Sequence, residues 1–338
     1  MRCLIATDAW HPQINGVVYT YAQLAGHLSR LGHETVFITP DDFRTVPMPT
    51  YSEIRLAFVT PRQVRRRVEA MEPDYIHIAT EGPIGFATRA SCVRAGWPFT
   101  TSYHTRFPEY LAARLPVPQS FGYSLERWFH GASCATMVAT PSLMEELAGK
   151  GFKRLLPWSR GVDTALFRPR NIRLFGEGPV FLNVGRVAVE KNLKAFLDLD
   201  LPGKKVIVGS GPQLKALKAA YGDAIFTGPL FGEPLAEAFA SADCFVFPSR
   251  TDTYGVVLLE ALASGVPIAA YPVTGPKDVV LNGLVGYLSE DLKDAALKAL
   301  TIDRGACRDY ALGFSWDACA RQFIDNVTSA CRGSLGKQ

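Results

Sequence analysis

The chain has 338 residues, 48% of them hydrophobic and 20% charged, with 29 Gly and 23 Pro. At about 150 residues per domain this length gives two domains, and the composition excludes a disordered chain, a collagen and a coiled coil. Net charge is only +4, and with no aromatic-interleaved basic stretch beside it nucleic acid is not expected as a partner.

The opening residues Met1-Arg2-Cys3-Leu4-Ile5-Ala6 read as a strand, without the basic and apolar regions of a signal peptide. No apolar run approaches the ~20 residues of a membrane span. Seven cysteines with no C-x-x-C spacing predict neither a disulfide framework nor a zinc site. The expectation is a soluble cytoplasmic protein.

In the first half, strand patterns fall at 2–8, 34–40, 75–80, 99–105 and 136–140. Between the first two, Val18, Tyr21, Ala25 and Leu28 mark one face of a helix that Gly32 stops. The basic excess lies in this half. Part of it is Arg62, Arg65, Arg66 and Arg67, on a helical stretch opened by Pro61. That stretch is either a solvated face or a patch resting on anionic headgroups, where each basic side chain contributes on the order of 1 kcal/mol. Further on, Phe107, Tyr110, Phe121, Tyr123, Trp128 and Phe129 gather around Pro116 and Pro118.

The second half restarts the rhythm, with strands expected at 180–185, 204–209, 225–227, 244–248, 267–271 and 285–288. The boundary is expected near Arg168-Pro169-Arg170-Asn171. A last helix, from an N-cap at Ser315 to Cys331, carries Trp316, Cys319, Ala320, Phe323 and Val327 on one face. Strands alternating with helices predict two α/β halves with parallel sheets. Such halves bind ligands outside the carboxyl ends of their strands.

Three motifs fall at those ends. In Pro248-Ser249-Arg250-Thr251-Asp252-Thr253-Tyr254-Gly255-Val256-Val257-Leu258-Leu259-Glu260-Ala261 a strand ends, a loop carries Asp252, and Gly255 turns the chain into a helix bearing Glu260. Carboxylates accept hydrogen bonds from vicinal hydroxyls, which suits a sugar or a ribose, and the amides at the helix start suit a phosphate. In Asn183-Val184-Gly185-Arg186-Val187-Ala188-Val189-Glu190-Lys191-Asn192 a buried strand delivers Arg186, and Lys191 follows at a helix start. Two cations there fit a diphosphate. The third motif, Val208-Gly209-Ser210-Gly211-Pro212, is a glycine turn into a helix. By contrast Asp198-Leu199-Asp200 spells a metal-binding D-x-D but lies at the end of a helical run before Pro202-Gly203, away from the strand-end loops, and reads as surface.

Together these motifs resemble the retaining, nucleotide-sugar-dependent glycosyltransferases of the GT-B fold. The N-terminal half agrees through Asp8-Ala9-Trp10-His11-Pro12-Gln13-Ile14-Asn15-Gly16-Val17-Val18, Ser102-Tyr103-His104-Thr105, Pro141-Ser142 and Arg160-Gly161-Val162-Asp163. Within the family these signatures are most similar to α-mannosyltransferases and to the enzymes that glycosylate diacylglycerol or make sulfoquinovosyl lipid.

The resemblance implies two Rossmann-like domains facing across a cleft. Residues 1–169 would form the acceptor domain and 170–314 the nucleotide-sugar domain, with a crossover helix and tail at 315–338 packing back on the first. It implies that Arg186 and Lys191 hold the donor diphosphate and Glu260 the ribose, with Gly185, Gly209, Gly211, Tyr254, Gly255 and Val256 also on the donor side. Gly16 would let the backbone approach the diphosphate. Asp252 takes the first acidic position of the family's E-x7-E motif, commonly Glu, which contacts the donor sugar. His104 would lie near the anomeric carbon, and Glu81, Tyr103 and Arg106 on the acceptor side. The implied reaction is hexose transfer from a UDP- or GDP-sugar, with no cofactor or metal, to a membrane lipid such as diacylglycerol or to a surface or carrier-linked glycan. A nucleotide-sugar epimerase or a non-catalytic nucleotide-sugar-binding protein are the rival readings. A dehydrogenase is disfavoured because Asp8-Ala9-Trp10-His11-Pro12 stands where a G-x-G-x-x-G turn belongs.

Overall fold

The computed structural model describes residues 1–13, 15–48, 51–112 and 118–335. Ile14 and Pro116, both singled out above, and residues 336–338 of the expected tail lie outside the described residues. The chain divides into two units, Met1–Ser159 with Trp316–Gln338, and Arg160–Ser315.

In the first unit come β1 (Arg2–Ala6), α1 (Gly16–Arg30), β2 (Glu34–Ile38), a hairpin of β3 (Thr45–Met48) and β4 (Tyr51–Ala57), and α2 (Pro61–Met71). They are followed by β5 (Tyr75–Ile78), α3 (Pro83–Ala95), β6 (Phe99–Tyr103), α4 (Phe107–Ala112), α5 (Gln119–Gly131), β7 (Ala135–Val138), α6 (Pro141–Gly149) and β8 (Leu155–Pro157). Its six-stranded parallel sheet has the order β2-β1-β5-β6-β7-β8. Both faces are covered, so β1 alternates inside one apolar run: Cys3 and Ile5 join Tyr21, Leu24 and Leu28 of α1, while Leu4 and Ala6 join Val64 and Val68 of α2. Helix α1 starts where Asn15 Oδ1 accepts the amides of Val17 and Val18, each at 3.0 Å.

The second unit holds β9 (Val180–Val184), α7 (Leu193–Leu197), β10 (Lys204–Val208), α8 (Leu214–Ala220), β11 (Ile225–Gly228), α9 (Gly232–Ala240) and β12 (Cys244–Phe247). After them come α10 (Val256–Ala263), β13 (Ile268–Ala270), α11 (Pro276–Val279), β14 (Gly286–Leu288), α12 (Leu292–Ala299) and α13 (Arg304–Ala311). Its parallel sheet runs β11-β10-β9-β12-β13-β14. Counted within the unit this is the doubly wound order 3-2-1-4-5-6, which reverses direction between β9 and β12.

The last helix, α14 (Trp316–Leu335), belongs to the first unit. Trp316, Cys319, Ala320, Phe323 and Val327 are buried together with Cys3, Ile5, Tyr21 and Trp158, and the Trp158 indole donates to the Cys319 carbonyl at 3.2 Å.

Three details differ from the sequence expectation. The division falls at Ser159/Arg160 rather than near Arg168, because 160–169 is bound into the second unit. There Val162 N donates to Phe314 O at 3.1 Å, and the Arg308 guanidinium holds the carbonyls of Thr164 and Phe167 at 2.9 and 2.7 Å. Strands β3, β4 and β8 were not expected: Pro47 breaks the first, and the last is three residues ending in Pro157. On α1 the buried residue is Leu24, with Ala25 only half-buried.

Candidate functional site

The switch point of the second sheet gathers most of the expected donor-side residues. Arg186 follows β9, and Asp252 follows β12. Lys191 lies in the short turn Val189–Lys191, and its Nζ donates to Asp252 Oδ1 at 2.5 Å with both side chains largely sheltered, 26% and 17% exposed. Cross-links between the two loops fix that pair. Asn192, at φ 52°, donates from Nδ2 to Pro248 O at 3.1 Å, and Ser249 Oγ donates to Glu190 O at 3.4 Å. Asp252 Oδ2 is buried and has no hydrogen-bond partner among the described residues, which leaves it able to accept a bond from a ligand.

Glu260 sits in the second turn of α10 and is 6% exposed. Burial alone pushes its carboxyl up to about 8, since neither a charge nor a hydrogen bond offsets the cost of desolvating the carboxylate. A buried acid lacking such compensation is expensive to keep for packing, which makes Glu260 a candidate functional residue. Helix α10 opens at Gly255, φ 83°, with the buried Tyr254 beside it, leaving the amides of Gly255 and Val256 at a helix start suited to an anion.

The glycine turn has a second reason for its glycines. A β-carbon on Gly209 would stand 1.9 Å from the Gly185 carbonyl oxygen, and one on Gly211 would stand 2.4 Å from that of Val187. Chain packing alone therefore demands glycine at both. Asp198 and Asp200 follow α7 and precede β10, at the opposite sheet edge, and pair with Lys194 at 3.5 Å and Lys293 at 3.0 Å. Among the described residues, no group of three or more His, Cys, Asp or Glu is placed to hold a metal ion.

The first unit places Glu81, Tyr103, His104 and Arg106 at or just beyond the carboxyl ends of β5 and β6. Gly16 opens α1, and a β-carbon there would meet nothing within 4 Å. His104 Nε2 contacts Tyr21 Oη at 2.9 Å. The Glu81 carboxylate accepts from His130 Nε2 at 3.1 Å. Arg106 is clamped by Glu146, at 2.9 and 2.6 Å, so its guanidinium charge is met inside the unit. Tyr103 is buried, and burial raises its phenol.

Sequence reasoning assigned no role to two acids here. Burial pushes the Glu126 carboxyl up to about 9, with the Glu81 charge adding to it, and no sequence pattern signals that acid among the aromatics of α5. Asp8 accepts from the amides of Ile84 at 2.8 Å and Gly85 at 3.1 Å, capping α3 from a different strand, while burial still pushes it up to about 6. Its signal was legible, an acid directly after the first strand. The helix start at this sheet's own switch point, between β1 and β5, is thus occupied by the protein's own carboxylate.

At the switch point of a doubly wound sheet stand a cation–carboxylate pair and, on the adjoining helix, a buried acid. The family of the chain follows from its likeness to known proteins. Residues 14–166 match Glycosyltransferase Family 4, and residues 178–302 match Glycosyl transferases group 1. A GDP-mannose-dependent alpha-mannosyltransferase of Mycobacterium tuberculosis is 31% identical, over 98% of this chain and 97% of its own. The alpha-monoglucosyldiacylglycerol synthase of Streptococcus pneumoniae is 25% identical, over 89% and 78%. In fold, the Anabaena protein HepE, solved with UDP and glucose, superposes with TM-score 0.72 at 14% identity, covering 97% of this chain and all of that one. The chain belongs to the GT-B glycosyltransferases and is a glycosyltransferase that uses nucleotide sugars.

Proposed function

We propose that this enzyme moves a hexose, with retention of configuration and without a metal, from a UDP- or GDP-sugar to a membrane lipid such as diacylglycerol. The observation that carries the donor half is the Lys191–Asp252 pair at the carboxyl end of the sheet, where Arg186 follows β9, with Glu260 buried on α10. Breaking the glycosidic bond leaves an oxocarbenium-like sugar and a diphosphate gaining negative charge. Arg186, Lys191 and the amides of Gly255 and Val256 are set for that charge, a pre-organised electrostatic effect worth several kcal/mol, so no metal is needed to supply it. The orphaned Asp252 Oδ2 takes a hydroxyl of the donor sugar, and Glu260 takes the ribose diol. With both acids engaged by the donor, neither serves as the nucleophile of a double displacement. The acceptor then attacks from the face the diphosphate leaves, aided by His104. Retention accords with the relative whose name pairs GDP-mannose with an alpha product.

The lipid half rests on the surface of the first unit and on the diacylglycerol-glycosylating relative. Arg62, Arg65 and Arg66 are exposed on α2, whereas Arg67 is drawn in by Asp42. Phe121 and Trp128, 61% and 55% exposed, stand seven residues apart on one face of α5. Exposed basic side chains and exposed aromatic rings each suit an anionic interface. No described helix is long and apolar enough to cross a membrane, so contact would be peripheral, on the cytoplasmic leaflet. A panel of UDP- and GDP-sugars incubated with lipid extract, products read by mass spectrometry, tests the reading. A glycosylated lipid supports it. A glycosylated polysaccharide or carrier, an isomerised sugar from donor alone, or nucleotide binding without turnover would each replace it.

A further inference from the structure

In the free enzyme the cation set for the diphosphate is already held by an acid. Lys191 Nζ donates to Asp252 Oδ1 at 2.5 Å, and Asp252 Oδ2, buried, has no hydrogen-bond partner among the described residues. The acid cannot easily swing away. Besides the bonds that tie its loop to the Lys191 turn, Gly275 backs that loop so closely that a β-carbon there would stand 3.0 Å from Tyr254 O and 3.4 Å from Asp252 O. We propose that Asp252 is the residue by which the site tells donor from product: clasping Lys191, it weakens the hold on the bare nucleoside diphosphate and spares the sugar-linked one. This rests on the reading of Lys191 as a diphosphate ligand and of Asp252 as a sugar ligand.

Whatever else Lys191 touches, an ammonium with three N–H donors can serve a phosphate oxygen without leaving Asp252. Carboxylate and phosphate then share one cation, and like charges a few ångströms apart in a sheltered site repel. The repulsion differs between the two ligands. When the glycosidic bond breaks, its electron pair stays on the β-phosphate oxygen and the acceptor hydroxyl gives up its proton, so the product carries one negative charge more than the donor. Only the donor offers compensation, a sugar hydroxyl donating to Asp252 Oδ2. During transfer the same carboxylate faces a sugar gaining positive charge, so the penalty falls after the sugar has gone. Selectivity of this kind is a difference of two affinities, made partly by repelling the unwanted ligand.

Calorimetric titration of the full chain with bare UDP or GDP, matched to the base the enzyme accepts, tests this alongside donor kinetics and thermal melts. Asp252→Asn and Asp252→Ala both remove the charge. Each should bind the diphosphate about tenfold tighter than wild type, a modest share of what like-charge contact costs, while donor KM rises. Asp252→Glu, which keeps the charge, should bind the diphosphate about as wild type does. A side chain that merely shaped the pocket would weaken both ligands together when changed. In a double-mutant cycle the gain from Asp252→Asn should vanish on a Lys191→Ala background. Folded Asp252→Asn and Asp252→Ala that bind the diphosphate no tighter, or a gain that survives Lys191→Ala, overturns the inference and leaves the donor site in place. A Lys191→Ala enzyme that binds the diphosphate as strongly as wild type would remove the donor site itself, and the inference with it.

Discussion

At Gly209 a β-carbon would meet a carbonyl oxygen at 1.9 Å, whereas at Gly16 it would meet nothing within 4 Å. The two glycines looked alike in the sequence, and the structure separates them. Gly209→Ala is expected to destabilise the enzyme by about 1–3 kcal/mol or more through backbone strain and overpacking. Gly16→Ala should stay within about 0.5 kcal/mol of wild type in stability, since nothing crowds that position. Thermal melts of the two variants check both. Glu260 makes the matching electrostatic case. Its folded carboxyl sits at about 8, above the usual ~4.3 of a free glutamate, so its contribution to stability is present at low pH and is lost as pH rises through 8. Ribose hydroxyls favour the ionised acid. Donor binding should therefore release a proton, and donor KM should fall between pH 6 and 9. Glu260→Gln should abolish that fall and stabilise the free enzyme above pH 8. A donor KM that rises over this range would contradict the ribose assignment.

Among the elements, short β-rich runs alternating with helical patterns exposed most of the parallel strands, clearest where the run is apolar and buried, as in β1, β9 and β12. The hairpin of β3 and β4 and the three-residue β8 were illegible because their residues are polar, short or interrupted by proline. The strand-end motifs pointed to Arg186, Lys191, Asp252 and Glu260, since a cation or an acid after a buried strand is conspicuous. The surroundings of Glu126 and the Tyr21–His77 contact stayed hidden: each depends on strands and helices far apart in the chain. One long-range contact was readable, the apolar stripe of α14. Phe323 is fully buried against the first unit's core, so Phe323→Ala should cost about 3–5 kcal/mol. Chemical denaturation followed by tryptophan fluorescence measures it, and a loss under 1 kcal/mol would mean the helix is only loosely held.

For the whole molecule, charge bears on where the enzyme works. Arg62 and Arg66 are exposed on α2, while Arg65 pairs with Glu69 at 2.8 Å. At about 1 kcal/mol per basic residue, the double change Arg62→Ala/Arg66→Ala should weaken binding to phosphatidylglycerol vesicles about 30-fold. Added salt should weaken the wild type similarly. Equal sedimentation of both proteins with the vesicles would contradict a membrane contact through α2. The central claim, that a diphosphate is held at the switch point of the second sheet, has a more direct test. Sugar transfer by Arg186→Ala and Lys191→Ala should be measured with the preferred donor, alongside melts to verify folding. The account predicts folded proteins with kcat/KM reduced about 100- to 1,000-fold, the loss expected when a pre-organised charge-stabilising group is removed. Near-normal turnover in either variant would contradict it.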